Sequence, residues 1–487
     1  MAVLVVGVDT STQSCKVEFR DLATFAVVAR GSAPHPPVTP PCSEQDPATW
    51  WDAFVAAFRM ALAAAPAHSA IAAIAVAGQC HGLVALDAKG QVIRPAKLWN
   101  DTTTAPELTA LRREIGDDTF IQRTGSLPTA AFTISKVAWL ARHEPDHFAR
   151  LATMLLPHDY LTYRLTGEFV TDRSEASGTG YFDADQDTYL VDFLRVIDPA
   201  KPWETMVPRV VAGDGVAGTV SPAAARELGI APGALVGAGG GDQHASAVGL
   251  GLTAPDLVVA LGTSGVVFTH SATAVRDPAG FINGVASVTP GFLPLACTLN
   301  AAKVTDAFAR LLGVDHAGLS RLALAADPSG PVLVAYLDGE RTPDRPGASG
   351  LLLDLTSDAT REQLARAAFE GVVFGLLYGV RHLAGCGVDA SGDVFVVGGG
   401  ARSPAYTQLL ADQLARPVRV ADVPEATARG AAVQAAAVAR GDRLDQTMAA
   451  LRPVATVVAE PVHEPDETRW ERYLEGCRVT ALDRPGV

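Results

Sequence analysis

A chain of 487 residues outgrows a single hydrophobic core, so two or more domains are expected. Its formal charge of −14 excludes the basic surface on which nonspecific nucleic-acid binding runs, although an anionic ligand can still bind where N–H groups are locally dense. With 48% apolar and 6% aromatic residues it reads as an alanine- and glycine-rich α/β globular protein, and no apolar run approaches the roughly eighteen residues of a membrane span.

The chain opens with a hairpin. Val3 to Phe19 reads as a strand, a tight turn Asp9-Thr10-Ser11-Thr12 and a second strand. The opening residues lack the basic flank and length of a signal peptide. The six cysteines, Cys15, Cys42, Cys80, Cys297, Cys386 and Cys477, form no C-x-x-C pair, which suits a reducing, cytoplasmic compartment. Small side chains in the turn leave backbone N–H groups and hydroxyls free for an anion. A carboxylate at Asp9, with Thr12 and Lys16 nearby, could hold magnesium beside a phosphate, or Asp9 could simply cap the turn.

Asp46-Pro47 predicts a helix start, Asp as N-cap and Pro at the first helical position, with the helix running to about Ala65. A buried strand over Ile71–Ala77 ends in Gly78-Gln79-Cys80-His81-Gly82. Cys80 and His81 sit where open α/β sheets collect ligands, though a lone histidine is as readily structural. Trp99, in Trp99-Asn100-Asp101, reads either as core or as a substrate contact. Further on, Gly239-Gly240-Gly241-Asp242-Gln243 follows a strand and opens a helix. Asp242 is there an N-cap or, given three glycines that admit close approach of a substrate, a catalytic carboxylate.

A boundary falls near Gly249–Pro255, giving domains of residues 1–250 and 251–487. The second domain begins by repeating the hairpin: Leu257–Leu261, the turn Gly262-Thr263-Ser264-Gly265, then Val266–Phe268. Two such turns, one per half, suit a nucleotide phosphate chain gripped between twin domains. A capping box at Thr360–Gln363 opens a long helix ending at Gly385. Its glycines Gly371, Gly375 and Gly379 suggest a backbone lying close to one face. After the strand Asp393–Val397, Gly398-Gly399-Gly400-Ala401 could leave room for adenine or ribose, or be a tight turn before the next helix.

Over essentially its whole length the chain resembles the FGGY family of carbohydrate kinases. The resemblance rests on Ser43–Pro47 with Trp50-Trp51, Gly78–Gly82, Trp99–Asp101, Leu156–Leu161, Thr166–Phe169, Gly240–Asp242, Leu261–Gly265, Gly339–Pro343 and Gly398–Ser403. It implies two ribonuclease H-like domains of the actin-type ATPase fold around a central cleft, sugar on the first and ATP on the second. It implies Asp242 as general base and Asp9 as the carboxylate organising Mg2+. Phosphate contacts are implied at Ser11, Thr12, Lys16, Gly262, Thr263 and Ser264, and adenine and ribose contacts at Gly399, Gly400 and Ala401. Cys80, His81 and Trp99 would touch sugar, with Asp242 and Gln243 at its reacting end. Two positions depart from the family pattern: Ser11 stands where glycine is usual, and Cys80 where the xylulose-specific branch often has Met or Gln.

The implied reaction is ATP-dependent phosphorylation of a ketopentose, first D-xylulose to D-xylulose 5-phosphate. Ribulose, arabinitol or gluconate are alternative substrates, and an actin-type ATPase module without sugar kinase activity is a further alternative. Neither nucleic acid nor membrane is an expected partner, and a homodimer is compatible with the resemblance.

Overall fold

The computed structural model describes residues 2–480. Its first sheet is built from β1 (Val3–Thr10), β2 (Ser14–Asp21), β3 (Val27–Pro34), β4 (Ala70–Gly78), β5 (Val216–Thr219), β6 (Leu235–Gly237) and the two-residue β7 (Gly240–Gly241). The strand order is β5-β6-β4-β1-β2-β3, with β7 beside β4. β1, β2 and β3 form an antiparallel meander, whereas β4 runs parallel to β1 and β6 parallel to β4. The second sheet repeats the plan with β8 (Leu257–Leu261), β9 (Gly265–Thr269), β10 (Leu295–Thr298), β11 (Val394–Val397), β12 (Val418–Ala421) and β13 (Ala455–Ala459), in the order β10-β9-β8-β11-β12-β13. Both sheets set a three-stranded meander beside parallel strands and end on an antiparallel edge strand, which precedes its neighbour in the chain in the first sheet (β5 before β6) and follows it in the second (β13 after β12), giving the molecule two lobes of ribonuclease H-like topology.

β1 carries no alternation because it is a central strand covered on both faces, between antiparallel β2 and parallel β4. On one face lies α1 (Pro47–Ala64), capped by Asp46, whose side chain accepts the Ala48 N–H at 2.9 Å. Its buried stripe of Trp50, Trp51, Phe54, Ala57, Phe58 and Ala61 follows the helical period. The other face is covered by α2 (Ala426–Arg440), which follows the second sheet's β12 in the chain and packs on β1 and β4 of the first. Between them runs α3 (Asp242–Leu250), which crosses α2 at the level of the main chain. A Cβ on Gly249 would collide with the Ala426 carbonyl, and one on Gly430 with that of Ala245. The sequence boundary at 250/251 falls between α3 and β8, yet the helix covering the first sheet comes from beyond it.

The long helix spans Arg361–Gly385 with its capping box formed by Thr360 and Gln363. Its glycine stripe does not face one close backbone, as the spacing suggested. Only Gly371 meets main chain, with the Leu333 carbonyl 2.6 Å from a would-be Cβ. Gly379 meets the Ala296 and Val267 side chains, and nothing lies nearer Gly375 than 3.7 Å. Over 25 residues the helix passes several different neighbours, so one sequence period hides three packing environments.

Candidate active site

Three parallel strands of the first lobe end at one level. Register pairs Asp9 and Gly240 with Ala77, and Thr10 and Gly241 with Gly78. Asp9, the Gln79-Cys80-His81 segment and Asp242 are therefore brought together at the carboxyl ends, where open α/β sheets bind ligands. Asp9 and Thr10 belong to β1 itself, so the turn proper is shorter than read from sequence, centred on Ser11, Thr12 and Gln13.

Asp242 is the first residue of α3 and not its N-cap, which is Gly241. Its Oδ1 accepts the Gln243 N–H at 2.7 Å and the Cys80 thiol at 3.6 Å. Burial pushes its pKa up, against these donors. Asp9 is pushed up to about 7, by burial first and then by the Asp242 charge, with Lys16 opposing. The Asp9 Oδ1 atom is buried without a hydrogen-bond partner. A buried orphan carboxylate oxygen beside a second carboxylate is the environment a hard divalent cation satisfies, so Asp9 fits such an ion. The Lys16 ammonium is held by Glu425, at 2.7 Å, just ahead of α2.

Thr12 joins the turn after β1 to the segments holding Gln79, Trp99 and Gln45. Its hydroxyl accepts the Trp99 indole N–H at 2.9 Å and donates to Gln79 Oε1 at 3.2 Å, while its carbonyl accepts Gln45 Nε2 at 3.2 Å. Ser11 is half-buried beside it. His81 adopts a left-handed backbone, φ 65°, and stacks on Phe132 with ring centroids 4.8 Å apart. Its Nδ1 lies 2.6 Å from the Gly178 carbonyl, which can only accept, so Nδ1 carries the hydrogen. Burial, then the nearby Arg341 charge, lowers its pKa to about 3. A neutral ring protonated at Nδ1 leaves Nε2 to accept a hydrogen bond from a hydroxyl.

In the second lobe, register of Ala260 with Val397 sets the turn after β8 beside the loop after β11. Gly262 donates to the Ser264 carbonyl at 3.0 Å, and the carbonyls of Gly262 and Thr263 accept from Ala302 and Ala301. The side chains of Thr263 and Ser264 make no hydrogen bond to any described residue. Gly398 (φ 86°) and Gly400 pack on Leu261, whereas Gly399 is exposed with nothing nearer a would-be Cβ than 3.9 Å, and Ala401 continues the same short 3-10 turn. Cys297 on β10 ties this lobe to the first electrostatically: burial raises its thiol pKa, with the Asp242 charge adding to the rise and Arg341 opposing it.

The sequence patterns of the FGGY family of carbohydrate kinases match this chain twice, the N-terminal domain over residues 4–249 and the C-terminal domain over 257–439. The chain belongs to the FGGY family of carbohydrate kinases. It is 43% identical to a xylulose kinase of Streptomyces rubiginosus across 96% of this chain and 94% of that one, and 44% identical to a xylulose kinase of Streptomyces coelicolor across 90% and 89%. Among solved structures it is similar to a xylulose kinase from Bifidobacterium adolescentis, at 35% identity and TM-score 0.86, over 98% of this chain and 99% of that one. A Plasmodium falciparum glycerol kinase superposes with TM-score 0.87 at 19% identity, over 99% of each chain, which speaks for the fold alone.

Other residues of this FGGY kinase shape the site without having been assigned a role from sequence. Phe132 is the stacking partner of His81, and Lys136 fixes it by donating to the carbonyls of Ala130, Ala131 and Phe132 at 3.1, 2.5 and 3.3 Å. Glu340, 2% exposed, accepts from Thr298 Oγ1, Leu299 N, Asn300 Nδ2 and Arg341 N at 2.6 to 2.9 Å. Thr298 pairs in register with Gly265, so Glu340 roots Arg341 behind the second turn while the Arg341 charge reaches His81 in the first lobe. Glu340 and Arg341 lay within a matching segment, but their isolated spacing carried no role.

Proposed function

We propose that this FGGY kinase transfers the γ-phosphoryl group of ATP to a ketopentose, converting D-xylulose to D-xylulose 5-phosphate, with Asp242 as general base. The observation that carries the reading is a tethered carboxylate: Asp242 Oδ1 is held by Gln243 and Cys80 at the level where β1, β4 and β7 end, beside Asp9. The xylulose substrate follows the names of the relatives at 43% and 44% identity.

In this reading the first lobe, residues 1–250, binds sugar between His81, Cys80, Trp99 and Gln243. His81 Nε2 accepts from a hydroxyl, and the free Oδ2 of Asp242 accepts from the hydroxyl that attacks. A loose transition state asks the base to take its proton late, so a carboxylate suffices. The second lobe, residues 251–487, holds ATP, with Gly262, Thr263 and Ser264 on the phosphates and Gly399, Gly400 and Ala401 against adenine and ribose. Ser11, Thr12 and Lys16 complete the phosphate contacts once Lys16 leaves Glu425. A magnesium ion on Asp9 would supply charge neutralisation at the phosphates. Alignment and charge neutralisation then supply most of the acceleration. The six free thiols fit the cytoplasm.

A coupled assay for ADP release over D-xylulose, ribulose, arabinitol and gluconate tests the reading. D-xylulose is expected to exceed the others in kcat/KM by at least about tenfold. Preference for another substrate would replace the sugar, and ATP hydrolysis indifferent to every sugar would remove the reading.

A further inference from the structure

Beneath Asp242 lies a carboxyl group that the reaction as drawn does not use. Glu175 sits in the short helix Arg173–Ser177, whose N-cap Asp172 accepts from Ser174 N and Glu175 N at 2.8 and 3.2 Å. Its side chain is turned inward under β7 and is 2% exposed. A Cβ built on Gly241 would collide with Glu175 Oε1 and lie 2.9 Å from Cys80 Sγ, so carboxyl and thiol crowd the same point. From there the thiol reaches Asp242 Oδ1 at 3.6 Å. Glu175 Oε2 is buried without a partner.

The surroundings decide its charge. Burial acts first on Glu175, a hydrogen bond with the Cys80 thiol opposes it, and the neighbouring charges of Asp172, Asp159 and Asp242, all acidic, each disfavour ionisation. The nearby His244 and His158 are buried with pKa values held down near 3, so neither supplies a cation. Arg173 on the same helix turns away, to Asp187 Oδ1 at 2.9 Å and the Gly291 carbonyl at 2.6 Å. An unpaired buried carboxylate costs several kcal/mol, and burial drives Glu175 well above the usual carboxylate range. The Cys80 thiol is likewise driven up by burial and by its two acidic neighbours.

We infer that Glu175, as a neutral carboxylic acid, is a positioning residue that donates to Cys80, which in turn donates to Asp242 and fixes the carboxylate for attack by the sugar hydroxyl. The chain is directional: O–H to Sγ, S–H to Oδ1. With the Gln243 N–H it occupies Oδ1 and leaves Oδ2 as the oxygen offered to substrate. Sequence separation hides it, since positions 80, 175 and 242 share no motif. The inference rests on Asp242 being the base.

The test compares Glu175→Ala, Glu175→Gln, Cys80→Ala and Asp242→Asn by steady-state kinetics and thermal melting. Glu175→Ala is expected to lower kcat about 30-fold while the sugar KM moves less than about threefold, because a misaligned base weakens the transition state more than binding. Glu175→Gln keeps an N–H donor and should recover kcat to within about fivefold of the parent. Glu175→Ala combined with Cys80→Ala should lower kcat no further than the worse single change, as for residues acting through one chain. Parent-like kcat in Glu175→Ala, or a Gln variant as slow as the Ala variant with an unchanged melt, overturns the inference. If Glu175→Ala does not fold, Cys80→Ala decides, and a parent-like kcat there overturns it too. Full turnover by Asp242→Asn would instead remove the base itself, which separates failure of that reading from failure of this one.

Discussion

The two turns that face the cleft come from hairpins of the same topology, but they are held differently. Around the first, side chains add to main-chain bonds from His35 and Gln79 to the Gln13 and Thr10 carbonyls: Thr12 links Gln79, Trp99 and Gln45, and Gln45 in turn accepts the Trp50 indole at 2.7 Å. Around the second, the main chain does the holding, through Gly262, Ala301 and Ala302, and the Thr263 and Ser264 side chains are left without described partners. In the proposed reading, a turn wired through side chains transmits the position of the sugar to the phosphates, and a turn held by its backbone gives phosphate a cradle that tolerates substitution of its side chains.

The largest effect expected is at Asp242, at the strand ends of the first lobe. Asp242→Ala should reduce kcat about 10³-fold or more while ATP affinity, read by calorimetry, stays within about threefold. Loss of ATP binding in that variant would move Asp242 from the sugar side to the nucleotide side.

Asp9 sharpens the comparison through pH. Its pKa is raised from 3.8 to about 7, so the stability contributed by its protonated form is complete below pH 3.8 and lost as pH rises through about 7. Without divalent cation, Asp9→Asn should therefore melt higher than the parent at pH 8, by about 2 °C or more, and lose that advantage towards pH 4. Cation binding needs the ionised form, so magnesium affinity of the parent should fall about tenfold per pH unit below pH 7, with proton release on binding near neutrality. A melt of Asp9→Asn that matched the parent at pH 8 would remove the buried-charge account.

The smallest effects separate the turns themselves. Thr12→Ala should raise the KM for both sugar and ATP, by about fivefold each, because it uncouples Trp99 and Gln79 together. Thr263→Ala should raise the KM for ATP alone, by about two- to threefold. Equal, two-substrate effects from both substitutions would erase the distinction between side-chain and backbone holding.

Local chemistry was legible in the chain. Asp46-Pro47 specified a helix start and Thr360–Gln363 another, because caps are contacts within four residues. The strands after which His81, Asp242, Thr263 and Gly399 fall were readable as apolar runs closed by glycine, and Asp9 stands near the end of another. That placed most candidate site residues at strand ends, and the family pattern supplied their expected roles.

Only the tertiary structure decided what depends on contacts between distant positions. It returned α2 from the second half of the chain to cover the first sheet, bound Lys16 to Glu425, stacked His81 on Phe132, and buried Glu175 under Gly241. It also split a uniform glycine stripe into three unlike environments. Spacing along a chain encodes which face a residue occupies, but not which surface meets that face. The charge state of Asp9 or Glu175 follows from that second fact, since burial and neighbouring charge exist only once the lobes are assembled.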